Sequence, residues 1–301
     1  MSRTTEALPS VRTDRQAQSR RTPRWARIAI PLAPMVVFYL VFLAYPILVL
    51  AYYSLQVGSG QIGLQNYLRF FESAGLRRTL INTLTVAGAA TLLDLIVGYP
   101  VAYYLARRRT WLADLVQGSL LIPLYGGLYV AFAFMLMLLP NGFLNSVLLW
   151  LHLTEKPLSL LYTHPTLIAA FGVYGLPFMV YPLRAAIQGV DPALEEAART
   201  LGAGGWQVLR LILLPASAVG IVGGVLLNFG WNVAIFSIPL VLSFKGAPFL
   251  PVDIYFSTRY GIRWSYAATL SAVLFFITFG LSYLYMLLVR PTGTFSGGGD
   301  E

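Results

Sequence analysis

Few residues in this sequence could take part in chemistry, and most of them stand in apolar surroundings. Asp94 lies in the middle of the run Thr91-Leu92-Leu93-Asp94-Leu95-Ile96. A charge at the centre of a bilayer costs about 2.5–3.5 kcal/mol on insertion scales, so this carboxylate must face other helices or water. It could attract a cationic solute within a transport pathway, or it could hydrogen-bond a neighbouring helix as a packing partner. Asn228 and Asn232 are four residues apart and share one helix face. Trp231 lies beside them and Tyr174 lies in the preceding apolar stretch. Asp94, Tyr174, Asn228, Trp231 and Asn232 are therefore candidates to line a translocation pathway, although interhelical hydrogen bonding would serve the two asparagines equally well. The chain has no cysteine and only two histidines, His152 and His164. That excludes a disulfide framework, a thiolate metal site and a cysteine nucleophile, and two histidines are too few for a histidine-rich metal site. No metal and no cofactor are expected. A Gly-rich Lys-Ser/Thr phosphate loop, a Gly-x-Ser-x-Gly elbow and a His-Glu-x-x-His helix are all missing, so the chain cannot itself hydrolyse ATP, and an intramembrane hydrolase is unsupported.

A second group of polar residues is concentrated between Asp191 and Pro215. Asp191 is placed to cap a helix whose first position is Pro192. Glu195 and Glu196 then fall in the first turns, where acids suit the helix dipole. Leu201 continues the apolar side, and Gly202 ends the helix as a left-handed cap would. A second helix starts after Gly205 and runs through Trp206–Leu214. The spacing predicts a short capped helix at the membrane surface, exposing small residues and both carboxylates, a shape suited to a partner's groove.

The elements that must position these residues are membrane spans. Of 301 residues, 57% are hydrophobic and 11% charged, against roughly 25% charged in a soluble domain. A mean hydropathy of +0.69 excludes both an ordinary soluble enzyme and a disordered regulator. Six stretches have the ~20 apolar residues that a bilayer requires: 28–54, 80–106, 113–139, 166–189, 211–242 and 264–289. The first is too long for a cleaved signal peptide and continues past Pro46 without a small-residue cleavage site. The net charge of +9 comes largely from seven arginines in the first 27 residues (Arg3, Arg12, Arg15, Arg20, Arg21, Arg24 and Arg27). These read as a cytoplasmic topogenic tail rather than a nucleic-acid site. With both termini inside, fourteen basic residues are cytoplasmic and seven are outside, and the tail and Arg107–Arg109 account for the asymmetry. The outer loops 56–78, 141–165 and 245–263 mix aromatics with Pro or Gly, as short interfacial helices do. Gly220, Gly223 and Gly224 suit close helix approach rather than phosphate binding.

Capping alone does not require Glu196-Ala197-Ala198, then Gly202-Ala203, then Ile212-x-Leu214-Pro215. This pattern resembles the signature loop of permease subunits of ATP-binding-cassette importers, whose short helix couples to the ATPase. The resemblance covers roughly residues 60–290. It includes Gly63-Leu64-Gln65-Asn66-Tyr67, Asn82-Thr83, Gly98-Tyr99-Pro100-Val101-Ala102-Tyr103 and Gly175-Leu176-Pro177-Phe178-Met179-Val180-Tyr181-Pro182-Leu183. Within the class it looks most similar to the spermidine/putrescine branch, which has iron, thiamine and phosphonate relatives. Pro123–Tyr129 and Pro239–Phe244 depart from the branch's pattern, and these departures bear on the substrate rather than the class.

The resemblance implies an all-α membrane protein of six transmembrane helices, with a cytoplasmic coupling helix between helices 4 and 5. It implies a multi-pass component of a prokaryotic inner membrane, surrounded by lipid. Its expected partners are ATP-binding-cassette ATPase subunits, a second permease subunit in a heterodimer and an extracytoplasmic solute-binding protein. The coupling loop would comprise Asp191, Glu195, Glu196, Ala197, Ala198, Gly202, Ala203, Ile212, Leu214 and Pro215. The expected organisation is a disordered basic tail (1–27), a first helix and outer loop (28–79), a core permease domain (80–290) and a disordered C-terminal tail (291–301). The transported solute would be polyamine-like, or alternatively iron, thiamine, a phosphonate or a sugar. An ion-coupled secondary carrier would need paired intramembrane charges, and only Asp94 is available. A purely structural membrane subunit would leave the 191–215 loop superfluous.

Because the chain has no cysteine, its orientation can be tested with single introduced thiols. Cysteines replacing Ser10 and Thr200 should resist an impermeant thiol reagent added to intact cells, whereas one replacing Ser159 should react. Labelling at residue 200 from outside would invert the topology.

Overall fold

The structure, a computed structural model, describes residues 32, 34–58, 61–243, 248–260 and 263–288. The expected tails at 1–27 and 291–301 lie outside the described residues. The chain divides into two units, Met1–Val49 and Leu50–Glu301. In the first, the helix α1 (Pro34–Leu55) begins. Its large apolar side chains from Met35 to Leu48 are exposed, as suits a helix whose solvent is hydrocarbon.

The second unit begins with the end of α1 and a two-stranded hairpin, β1 (Gln56–Val57) antiparallel to β2 (Gln61–Ile62). Next come α2 (Gln65–Glu72) and the long α3 (Ala74–Arg107). They are followed by α4 (Trp111–Ser119), α5 (Gly127–Leu138), α6 (Phe143–Trp150) and α7 (His164–Gln188). The chain continues through α8 (Pro192–Thr200), α9 (Gly205–Ala216), α10 (Ala218–Ala234) and α11 (Ser237–Leu242). It closes with α12 (Leu250–Arg259) and α13 (Trp264–Leu288). Among the described residues, five helical stretches are long and apolar enough to cross a bilayer, and six are if α9 and α10 count as one bent span. Short helices α2, α6 and α12 occupy the three loops expected to be structured.

Two of the six expected spans differ from continuous helices. The third, expected over 113–139, breaks between α4 and α5. Pro123 sits in a single 3-10 turn there, and Gly126 follows with φ +143°, a conformation that favours glycine. The long apolar run is instead Gly127–Trp150. The fifth, expected over 211–242, starts earlier, at Gly205, and bends by 73° between α9 and α10. Pro215 cannot donate a backbone hydrogen bond in the turn before the bend. At the bend, Ser217 Oγ donates to Leu213 O at 2.6 Å and pairs with Tyr99 Oη of α3 at 2.9 Å.

The core of this unit is the packing of α3, α7 and α10. Phe171, Leu167 and Ala170 of α7 meet Val86 and Ala90 of α3 towards one end. Met179, Leu183 and Ile187 meet Tyr99 and Ala102 towards the other. Threonine hydroxyls within α3 donate to carbonyls one turn earlier, Thr83 to Thr79 O and Thr91 to Ala87 O, each at 2.8 Å. In hydrocarbon this internal pairing removes an unsatisfied donor. α10 approaches α7 so closely that a Cβ at Gly220 would lie 2.3 Å from the Ala186 methyl, whereas one at Gly223 would meet nothing within 4 Å.

Gly220→Ala should therefore push α10 off α7 and destabilise the detergent-solubilised protein by about 1–3 kcal/mol. Gly223→Ala should be neutral or mildly stabilising. Equal melting temperatures for the two variants would contradict the packing.

Candidate functional site

Three groups of residues stand out, arranged along α3. The first is a buried polar knot. Asp94 is 1% exposed and Asn228 is 0% exposed. Asn228 Nδ2 donates to Asp94 Oδ2 and to Gly175 O, both at 2.8 Å. Asn232 Nδ2 donates to Asn228 Oδ1 at 2.8 Å and to Thr91 Oγ1 at 3.3 Å. One side-chain amide, that of Asn228 on α10, thereby joins α3 and α7. Gly175 makes room for the knot, because a Cβ there would fall 2.5 Å from Asp94 Oδ2 and 2.9 Å from Asn228 Nδ2. Thr91 and Gly175 were not among the sequence candidates. Glycines 172 and 175, spaced three apart on a helix, are the signal that could have pointed to a facing polar group.

The second group is aromatic. Trp231, adjacent to the asparagines in sequence, points away from the knot and is 42% exposed. Its ring centroid lies 4.5 Å from that of Phe178 and 6.4 Å from that of Tyr174. The five candidate pathway residues thus divide in two. Asp94, Asn228 and Asn232 are locked together in the interior, while Tyr174, itself buried, packs with half-buried Phe178 and the more exposed Trp231.

The third group is α8 and its attachment. Asp191 Oδ1 accepts from Ala193 N at 2.9 Å, and Pro192 occupies the first helical position. At the other end Gly202 has φ +89°. Gly202 N donates to Arg199 O and Ala203 N donates to Ala198 O, each at 3.0 Å, the paired bonds of a Schellman C-cap. The two glutamates, expected to be exposed together, differ in burial, Glu195 being buried and Glu196 exposed, which corrects that expectation for Glu195. Glu195 is 6% exposed and faces α3. Its Oε1 accepts from Arg107 Nε at 2.8 Å and Nη2 at 2.7 Å, and its Oε2 accepts from Tyr103 Oη at 2.8 Å. Arg107 Nη2 also donates to Val190 O at 2.8 Å, just before α8. Residues at i and i+4 on α3 therefore hold the acid in place. In the sequence Arg107 reads only as one of three topogenic arginines, so its second role shows only in the fold.

Glu196, Ala197 and Leu201 remain exposed on the outer side of α8, and Leu201 is 89% exposed. Thr200 Oγ1 donates to Glu196 O. Ala203 and Ala198 pack against a small cluster of Val190, Val208 and Leu213, which seats α8 on the start of α9. Ile212 and Leu214 are half-buried and Pro215 is exposed at the foot of the bent span.

A bundle with a bent fifth span and a capped surface helix before it defines a membrane transport component. The chain belongs to the family of binding-protein-dependent transport system inner membrane components, whose model matches residues 98–290. It is 35% identical over 165 residues to the spermidine/putrescine transport system permease protein PotB of Salmonella typhimurium (strain SL1344), a match covering 54% of this chain and 57% of PotB. The matched stretch thus spans little more than half of that relative. A putative 2-aminoethylphosphonate transport system permease protein, PhnU of Salmonella typhimurium (strain LT2), is 26% identical over 267 residues, covering 87% of this chain and 92% of PhnU. The fold matches that of a bacterial ABC transporter involved in the import of the acidic polysaccharide alginate, with a TM-score of 0.75 at 23% identity over 88% of this chain and 95% of that one.

Glu195→Gln should weaken the α8 attachment by leaving the partly buried Arg107 guanidinium without a counter-ion, at a cost of roughly 1–3 kcal/mol. Glu196→Gln, on the exposed side, should leave stability unchanged. Thermal unfolding of the two purified variants checks this. Equal stability would remove the anchor from Glu195.

Proposed function

We propose that this chain is the membrane-spanning permease subunit of an ATP-binding-cassette importer. It forms the translocation pathway with a second permease, receives its solute from an extracytoplasmic binding protein, and is driven by partner ATPase subunits. It performs no chemistry of its own. Family membership supports the class, and the observation that carries the reading is α8, capped at both ends and anchored to α3 by Glu195 while presenting Glu196, Ala197 and Leu201 outward. A helix held this way transmits displacement rather than absorbing it. α8 is tied to α3 through Arg107, and it is linked by short connections to α7 before it and α9 after it. A push from an ATPase that closes on ATP would then reach the three helices packed around the polar knot as one body. The transmembrane part supplies a bistable element whose equilibrium both partners bias. In this orientation both termini and α8 are cytoplasmic.

For the solute we infer a small polyamine-like cation. The PotB relative is named for spermidine and putrescine. Asp94 is paired with Asn228, so its carboxylate acts in packing rather than as the pathway's attractor. The rings of Trp231 and Phe178, packed with Tyr174, offer the alternative, since aromatic rings attract ammonium groups without a buried charge. A phosphonate pathway would call for basic groups instead.

Two experiments separate these claims. Gly202→Asp places a side chain at φ +89°, with strain of about 1 kcal/mol or more, and Glu196→Lys reverses a charge on the outward side of α8. Both should insert normally, lose uptake, and lose stimulation of ATP hydrolysis by the loaded binding protein in vesicles. Full stimulation in both would make α8 an ordinary connector. Trp231→Ala should reduce polyamine uptake severalfold with ATPase coupling intact. Unchanged uptake would remove the aromatic surface from the pathway.

A further inference from the structure

At the end of α3 remote from α8, roughly 45 Å of helix separating Leu76 from Arg107 at 1.5 Å per residue, lies a pocket of ≈ 610 Å³. It is enclosed by the last turn of α1, the hairpin, α2 and the first turns of α3 and α13. Arg69, from the last turn of α2, and Arg263, immediately before α13, both line it. Among the described residues the one ion pair is Arg107–Glu195, so neither guanidinium has a carboxylate within salt-bridge distance. Arg263 lies 5.1 Å from the centroid of the Tyr266 ring. The nearest acid beyond it, Asp253, accepts from Tyr266 Oη at 3.4 Å. Burial pushes the Asp253 carboxyl up, with the Tyr266 bond and Arg263 opposing.

Two guanidiniums converging on one concavity call for an anion with several acceptor oxygens. α13 adds to this, because its first turn lines the pocket, bringing the positive end of a 25-residue helix and the Ser265 hydroxyl. The remaining walls are different in kind. Phe70 and Leu270 are buried apolar side chains, and Trp264 is half-exposed at the start of a span, the level at which tryptophan meets the membrane interface. A lining that combines two guanidiniums with buried apolar side chains and an interfacial tryptophan matches an amphiphile better than a free ion. We propose that this pocket binds the phosphate of an anionic phospholipid headgroup, with Arg69 and Arg263 as its two charged ligands. The orientation proposed above makes this the outer leaflet. Lipid binding itself does not depend on the transport reading and is measured separately from it.

The test uses the full chain in its purified membrane complex, exchanged into detergent with phosphatidylglycerol, and native mass spectrometry to count retained lipid. Wild type should retain phosphatidylglycerol selectively over phosphatidylcholine. The double variant R69Q/R263Q should bind it at least about tenfold more weakly, since each charged hydrogen bond removed is worth a factor of that order. R69K/R263K should be intermediate, and Arg78→Gln, outside the pocket, should behave as wild type. Unchanged melting temperatures in lipid-free detergent establish that the variants are folded. Retention of phosphatidylglycerol by R69Q/R263Q at the wild-type level would overturn the proposal. Protection of the wild type by millimolar inorganic phosphate to the same extent as by lipid would assign the pocket to a free anion instead. Loss of binding-protein association with lipid retention intact would assign the arginines to protein docking, which also overturns it.

Discussion

A carboxylate inside a bundle that has hydrocarbon around it has no water to fall back on, and Asp94 meets that constraint through one side chain, the amide of Asn228. Every other feature of the core is compatible with this bond. α7 must come close enough for Gly175 O to accept from the same amide, and so residue 175 cannot carry a Cβ. Asn232 must stand one turn on, to satisfy Asn228 Oδ1 while reaching Thr91. A missing member would leave a buried polar group unpaired where such groups cost most. The knot therefore specifies register as well as attraction. A shift of α10 by one residue would put Leu227 or Phe229 opposite Asp94.

The same three helices carry the attachment of α8 at one end. Tyr103 and Arg107 extend the line of α3 past the knot to Glu195, and Tyr99 reaches the bend of the fifth span through Ser217. Along its length α3 thus reaches, in order, the interior through Asp94, the bend through Tyr99 and the surface helix through Tyr103 and Arg107. Between its contact with α8 and the knot, α3 is one continuous helix whose backbone ladder loses a donor at Pro100. Flexibility is available at the bend itself, where Pro215 interrupts the backbone ladder and the turn before it is a π-helix, a geometry frequent at functional sites.

Charge is distributed in keeping with this division. Among the described residues the interior holds one acid, matched by amides rather than by a base. The surface end of α3 holds an acid matched by an arginine. Arginines lining the pocket at the other end have no carboxylate partner. An amide partner gives Asp94 a hydrogen bond without placing a second charge in lipid, while the Arg107–Glu195 pair at the end of α3 is ionic on both sides.

The sequence by itself determined the class of architecture, because hydrophobic runs of bilayer length and the scarcity of charge admit few other solutions in water or lipid. It also determined the ends of α8, since Asp191-Pro192 and Gly202 act through local backbone geometry within a turn of themselves. Partnership was a different matter. Glu195 and Glu196 are chemically identical neighbours, and only the 100° step between them on a helix seated against α3 makes one an anchor and the other a surface charge. Asn228, Trp231 and Asn232 read as one patch, yet the same angular step turns the indole away from the amides. Gly220 and Gly223 read alike, and only the approach of α7 gives one of them a reason. The breaks at Gly126 and Ser217 were hidden because apolar composition continues straight through them, and a hydropathy pattern records solvent, not direction.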